Sequence, residues 1–124
     1  MGAYNEILVP NVRCPVCGEV TDVTAQVHFA SSYDGDDTGN FALKTYRLGE
    51  KMRWFPRESP QFEEWRTGAH STLELGGGRL QECCYSDCRA HGDELYAVIE
   101  FNDTTPVSLI AVYPGTDWPE AFPR

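Results

Sequence analysis

The segment Cys14-Pro15-Val16-Cys17-Gly18 constrains this chain more than any other, because a second cysteine cluster answers it far along the sequence. That cluster is Cys83-Cys84-Tyr85-Ser86-Asp87-Cys88-Arg89-Ala90-His91-Gly92. Two residues between thiolates let a tight turn aim both sulfurs at one ion, about 2.3 Å from each. Pro15 stiffens the turn, and Gly18 supplies the positive φ that closes it. Two such knuckles in a strand-rich chain point to one structural zinc ion joining distant segments.

Cys14 and Cys17 form the first half of the expected site, and Cys88 opens the second half. The fourth ligand has three readings. His91 repeats the spacing of the first knuckle, with its glycine following, and gives three thiolates and one imidazole. Cys84, with three residues between it and Cys88, gives an all-thiolate site. Cys83 is the widest spacing. Adjacent residues of a strand point to opposite faces, so at most one of Cys83 and Cys84 reaches an ion from extended backbone. An all-thiolate set also suits iron, whereas one histidine favours zinc.

These paired knuckles resemble the zinc ribbon superfamily over residues 12–29 and 80–101. The resemblance implies two β-hairpins clamping one structural Zn2+. It carries over to Cys14, Cys17 and Cys88, with either His91 or Cys84 completing the set. It does not account for the long segment between the knuckles, and because zinc ribbons serve many processes it implies no single activity.

The chain has 124 residues, which suits a single domain with a modest core that a metal would help stabilise. Five cysteines are an odd number, which fits a reducing compartment and a metal site with one spare buried thiol better than a disulfide framework. With no apolar run of transmembrane length and no visible signal peptide, a cytoplasmic protein without a membrane role is expected.

The net charge of -9 argues against binding a phosphate backbone. Residues 44–57 are the exception: Lys44, Arg47, Lys51, Arg53 and Arg57 against Glu50 make a local +4 and leave -13 on the remainder. This strip reads first as a solvated strand face, with an anion or partner contact as the alternative.

Period-two alternation marks the strands. Val23, Ala25, Val27 and Phe29 oppose Thr24, Gln26 and His28. Phe41, Leu43 and Thr45 oppose Ala42, Lys44 and Tyr46, so a long hairpin is expected around the acidic loop 31–40. Leu95, Ala97, Ile99 and Phe101 begin a second hairpin, which turns at residues 102–106 and returns over 107–113. Ser59-Pro60 followed by Glu63 and Glu64 gives the one helix start, with Ser59 as cap. Residues 67–78 read as a loop bending at the three glycines, and 114–124 as an extended tail pinned by Trp118 and Phe122. The expected fold is mainly β: a small zinc-ribbon-like antiparallel domain, with a central insertion over about 47–78 containing one short helix.

No other constellation announces chemistry. Asp34, Asp36 and Thr38 begin like a calcium loop, but Thr45 stands where the bidentate Glu belongs. His28 and His70 have no nucleophile beside them in sequence, Ser71, Ser86 and Ser108 lack a nucleophile elbow, and Glu82 reads as a solvated strand residue. Fifteen aromatic residues suit a core with some exposed recognition surface. A non-enzymatic protein-binding module follows, acidic enough to suit an inhibitor or immunity-type partner of a basic toxin or nuclease. The alternatives are a nucleic-acid or transcription-associated zinc ribbon using residues 44–57, and a small hydrolase with a site the sequence does not announce.

Overall fold

The computed structural model describes residues 5–27, 45–52, 58, 60–67 and 72–122. Seven strands and one helix follow in the order β1 (Asn5–Arg13), β2 (Val20–Val27), β3 (Thr45–Arg47), α1 (Pro60–Thr67), β4 (Thr72–Gly76), β5 (Arg79–Cys88), β6 (Glu94–Asn102) and β7 (Thr105–Pro114). The strands form one curled sheet ordered β3-β1-β2-β5-β6-β7, with β4 also on β5. The architecture is mainly β, as the alternation implies. Among the described residues, no helix is long and apolar enough to cross a membrane.

β5 organises the sheet. One of its edges pairs with β6 along its length, from Arg79↔Asn102 to Asp87↔Glu94. The other edge is divided: β4 takes Arg79–Glu82, and β2 takes Ser86–Cys88. The second knuckle begins where β5 leaves β2, so it lands beside the β1–β2 turn that carries the first.

The strand faces sort as period two demands. Ile7 and Val9 of β1, Ala25 and Val27 of β2, Leu80 and Cys84 of β5, and Ala97, Ile99 and Phe101 of β6 share one core with Tyr46, Met52 and Phe62. Full burial of side chains such as Phe101 and Ile99 stabilises by about 1.5–3 kcal/mol each. Toward the knuckles this face continues as Cys14, Val23, Cys88 and Leu95. The opposite face of β5 and β6 buries Cys83 and Val98 beneath Phe122. Cys83 and Cys84 thus lie in different cores, as the geometry of adjacent strand residues requires.

Four sequence expectations need correcting. The long hairpin expected of Val23–Phe29 with Phe41–Tyr46 is not made by its described residues, Val23–Val27 and Thr45–Tyr46. Val23–Val27 pairs instead with Val9–Asn5 of β1, and Thr45–Arg47 lies parallel to Glu6–Leu8. Alternation identifies a strand and its faces but not its neighbour, which tertiary packing chooses. Part of that stretch, including the acidic loop, His28 and the calcium-like residues, lies outside the described residues, as do Ser59, His70 and Ser71.

Within the 67–78 loop, Thr72–Gly76 is strand β4, hydrogen-bonded to the edge of β5 that β2 leaves free. The three glycines do make the bend, with φ between 62° and 92°. The tail is not extended: Asp117 N–H donates to Pro114 O at 2.9 Å and Phe122 N–H to Pro119 O at 3.2 Å. These two turns fold Trp118 and Phe122 onto the sheet, and Trp118 Nε1 donates to Phe122 O at 2.9 Å. Glu82 is not solvated. It faces the core between Leu80 and Cys84, only 6% exposed, because its position in the alternation is an inward one.

Candidate metal centre

Each knuckle is the turn of a hairpin, β1–β2 for the first and β5–β6 for the second. Their backbones follow one plan. Cys14 N–H donates to Glu19 O at 2.9 Å and Cys88 N–H to Asp93 O at 3.1 Å. Gly18 N–H donates to Cys14 O and Gly92 N–H to Cys88 O, both at 2.9 Å. Both glycines hold the left-handed conformation, with φ of 78° and 73°, where an L side chain would be strained. The N–H groups of Cys17 and His91 each point at the sulfur three residues earlier, at 3.4 Å from Cys14 Sγ and Cys88 Sγ. In this plan Cys17 corresponds to His91, and Glu19 to Asp93.

The sheet holds the two turns together. Val23 of β2 stands opposite Cys88 of β5, Arg89 N–H donates to Asp22 O at 2.9 Å, and Thr24 Oγ1 donates to Asp87 Oδ1 at 2.7 Å. Cys14 and Cys88 are buried at the junction, with Cys17 at its edge.

Four donors converge there: Cys14, Cys17, Cys88 and Asp93, with ligand atoms all within 4.8 Å of one another. The Cys88 thiol donates to Asp93 Oδ2 at 3.2 Å, and the Cys14 thiol reaches the same oxygen at 3.6 Å. A second group, Cys17, Glu19 and His91, adjoins the first through Cys17. His91 Nε2 contacts Glu19 Oε2, and both side chains are more than half exposed. Such donors could hold a metal ion, and three thiolates suit a soft or borderline one.

The local electrostatics fit a cation. Burial raises the Cys14 thiol, but the N–H groups of Cys17 and Val16 outweigh it and hold the thiol below its ordinary value. For Cys17 the Glu19 backbone hydrogen bond lowers the value, yet burial together with Cys14 and Asp93 pushes it up to about 11. The Asp93 carboxyl is held low, foremost by the Cys88 thiol, against the cost of burial. An ion placed among these groups would relieve the crowding of negative charge that keeps Cys17 protonated.

The structure brings together Cys14, Cys17 and Cys88 as the spacing predicts, and leaves His91 at the exposed rim. Cys84 is not part of the cluster. It lies four residues before Cys88 on β5, about 13 Å away along an extended strand, packed in the main core. Burial pushes its thiol well up, with Glu82 and Cys83 adding to the shift. Cys83 is on the opposite face with Phe122. Sequence reasoning missed Asp93 and Glu19. The signal was available, since an acidic residue follows the closing glycine of both knuckles.

Comparison of the chain with protein-family models, with curated proteins and with solved structures finds no match.

Proposed function

We propose that this chain is a non-enzymatic protein-binding module, stapled by a structural zinc ion, that engages a basic protein in the manner of an inhibitor or immunity protein. The observation that carries the structural part is the convergence of four donors from two hairpin turns. Four protein ligands close a tetrahedral ion, whereas a catalytic zinc keeps one position for water or substrate. Zinc rather than iron is favoured by the mixed thiolate and oxygen donor set.

The partner reading rests on charge. A net charge of -9 steers a cationic surface into place and repels phosphate backbones. A second reading, a nucleic-acid-binding zinc ribbon, is supported by Arg47 and Lys51 of the basic strip, both exposed. Arg53, Arg57 and Lys44 lie outside the described residues.

Affinity capture with mass spectrometry, followed by binding kinetics against the captured protein, tests the proposal. The partner is expected to be basic, with an on-rate that falls as salt rises, since exposed charges are screened beyond about 8 Å at physiological ionic strength. Replacing Asp34, Asp36 and Asp37 with Lys is expected to slow association. An acidic partner, or an on-rate indifferent to both salt and charge reversal, overturns the partner reading. Salt-sensitive binding to DNA or RNA that is lost on replacing Arg47 and Lys51 with Glu establishes the second one.

A further inference from the structure

We infer that the fourth ligand of the metal site is the carboxylate of Asp93, giving a three-thiolate, one-carboxylate centre with His91 and Glu19 outside it. The inference rests on the metal reading above and names the ligand set of that site. It departs from the knuckle spacing, which nominates His91.

Tetrahedral geometry supplies the first argument. With zinc–sulfur bonds of about 2.3 Å and zinc–oxygen bonds of about 2.0–2.2 Å, a sulfur and an oxygen on one ion lie about 3.5–3.7 Å apart. Asp93 Oδ2 lies 3.6 Å from Cys14 Sγ and 3.2 Å from Cys88 Sγ. One of these separations matches the tetrahedral value and the other is a few tenths of an ångström shorter, so the carboxylate oxygen lies where a ligand shared with both sulfurs would sit, and Cys17 belongs to the same compact set. An ion entering here displaces the protons of the three thiols, Cys14, Cys17 and Cys88, as it takes their sulfurs as thiolates.

The correspondence of the two knuckles supplies the second argument. In the first turn the residue three after the leading cysteine, Cys17, points inward, and the residue five after it, Glu19, is exposed. In the second turn these roles are exchanged: Asp93 points inward and His91 is exposed. Aspartate is one methylene shorter than glutamate, so its carboxylate sits close to its own turn. Glu19, from the facing turn, meets the imidazole of His91 at the rim. That contact gives His91 a partner away from Cys14 and Cys88 and ties the two turns together on their solvent side.

Zinc and cobalt(II) titrations of this 124-residue chain test this assignment. Cobalt reports ligation directly, because thiolate-to-metal charge-transfer intensity counts sulfurs and the visible bands report tetrahedral geometry. Asp93→Ala and Asp93→Asn are expected to weaken zinc binding about a hundredfold or more, and His91→Ala less than about tenfold, below what even residues supporting a ligand usually cost. Asp93→Cys is expected to keep a tight tetrahedral cobalt site with charge-transfer intensity raised to that of four thiolates, which separates loss of a ligand from loss of the fold. The assignment is overturned if His91→Ala is the variant that loses the metal, if Cys84→Ala is, or if Asp93→Cys leaves the sulfur count unchanged. A parent chain that binds neither zinc nor cobalt overturns the metal reading itself, whereas tight binding by the parent that ignores the Asp93 substitutions overturns the ligand assignment alone.

Discussion

Cys88 and Asp93 close the second knuckle on itself twice: the Cys88 backbone N–H donates to the Asp93 carbonyl at 3.1 Å, and its thiol donates to the Asp93 carboxylate at 3.2 Å. One residue pair thus sets the turn and places a sulfur and an oxygen side by side. The first knuckle repeats the backbone half of this relationship between Cys14 and Glu19. Its side-chain half is taken over by Cys17.

The metal and the fold are expected to be inseparable. Elemental analysis of purified protein should find about one zinc per chain, because binding energy at such sites is largely folding energy. Chelation, or Cys17→Ser, should lower the melting temperature by roughly 10 °C or more, the shift that a loss of about 3 kcal/mol produces in a domain of this size. An unchanged melting curve after complete chelation would remove the staple from the description.

Gly92→Ala should destabilise the zinc-loaded protein by about 1–2 kcal/mol, since alanine pays for the left-handed conformation that glycine adopts freely. Nothing lies within 4 Å of a Cβ built there, so the effect is one of backbone conformation and not of a clash. Gly92→Asn, which tolerates positive φ better, should cost less. Denaturant midpoints of the three proteins decide it, and equal midpoints would show that the turn can relax.

Glu82 should make stability fall as pH rises. Burial raises its carboxyl from an ordinary 4.5 to about 7, although the hydrogen bond from the Thr72 hydroxyl opposes the shift. A carboxyl raised on folding binds its proton more tightly in the native state, so its contribution is fully present below pH 4.5 and is lost as pH climbs through 7. The span corresponds to about 3 kcal/mol. Glu82→Gln, which stays neutral, should therefore be more stable than the parent at pH 8 and show a flatter profile between pH 4.5 and 7. Urea melts across that range measure this, and parallel profiles for the two proteins would refute it.

Phe122→Ala should cost about 3 kcal/mol, the usual range for emptying a buried aromatic site. Phe122 covers Cys83 and Val98, and its carbonyl accepts the Trp118 indole N–H. Trp118 also stacks edge-on against Tyr96, with ring centroids 4.9 Å apart. Loss of Phe122 should free the indole, so its fluorescence should shift to the red well before global unfolding. An unmoved emission maximum would mean that the tail holds without its last aromatic residue.

Much of this protein is legible in its sequence because the relevant rules are local. The spacing of Cys14 with Cys17 shapes a turn by itself. The alternation of Leu95, Ala97, Ile99 and Phe101 declares the buried face of β6 without reference to any neighbour, and Cys83 and Cys84 part to opposite faces for the same reason. What tertiary structure decided is which elements meet. Among the described residues β2 lies between β1 and β5, and β3 lies parallel on β1, because alternation specifies a face and leaves the edge partner open. Glu82 was buried because the register of β5 continued through a charged position and β4 covered that edge. Asp93 came to face Cys14 because β2 pairs with β5 and sets the two knuckles against each other. The donors of one turn can be read along the chain, whereas the space they share with another turn exists only after the sheet has closed.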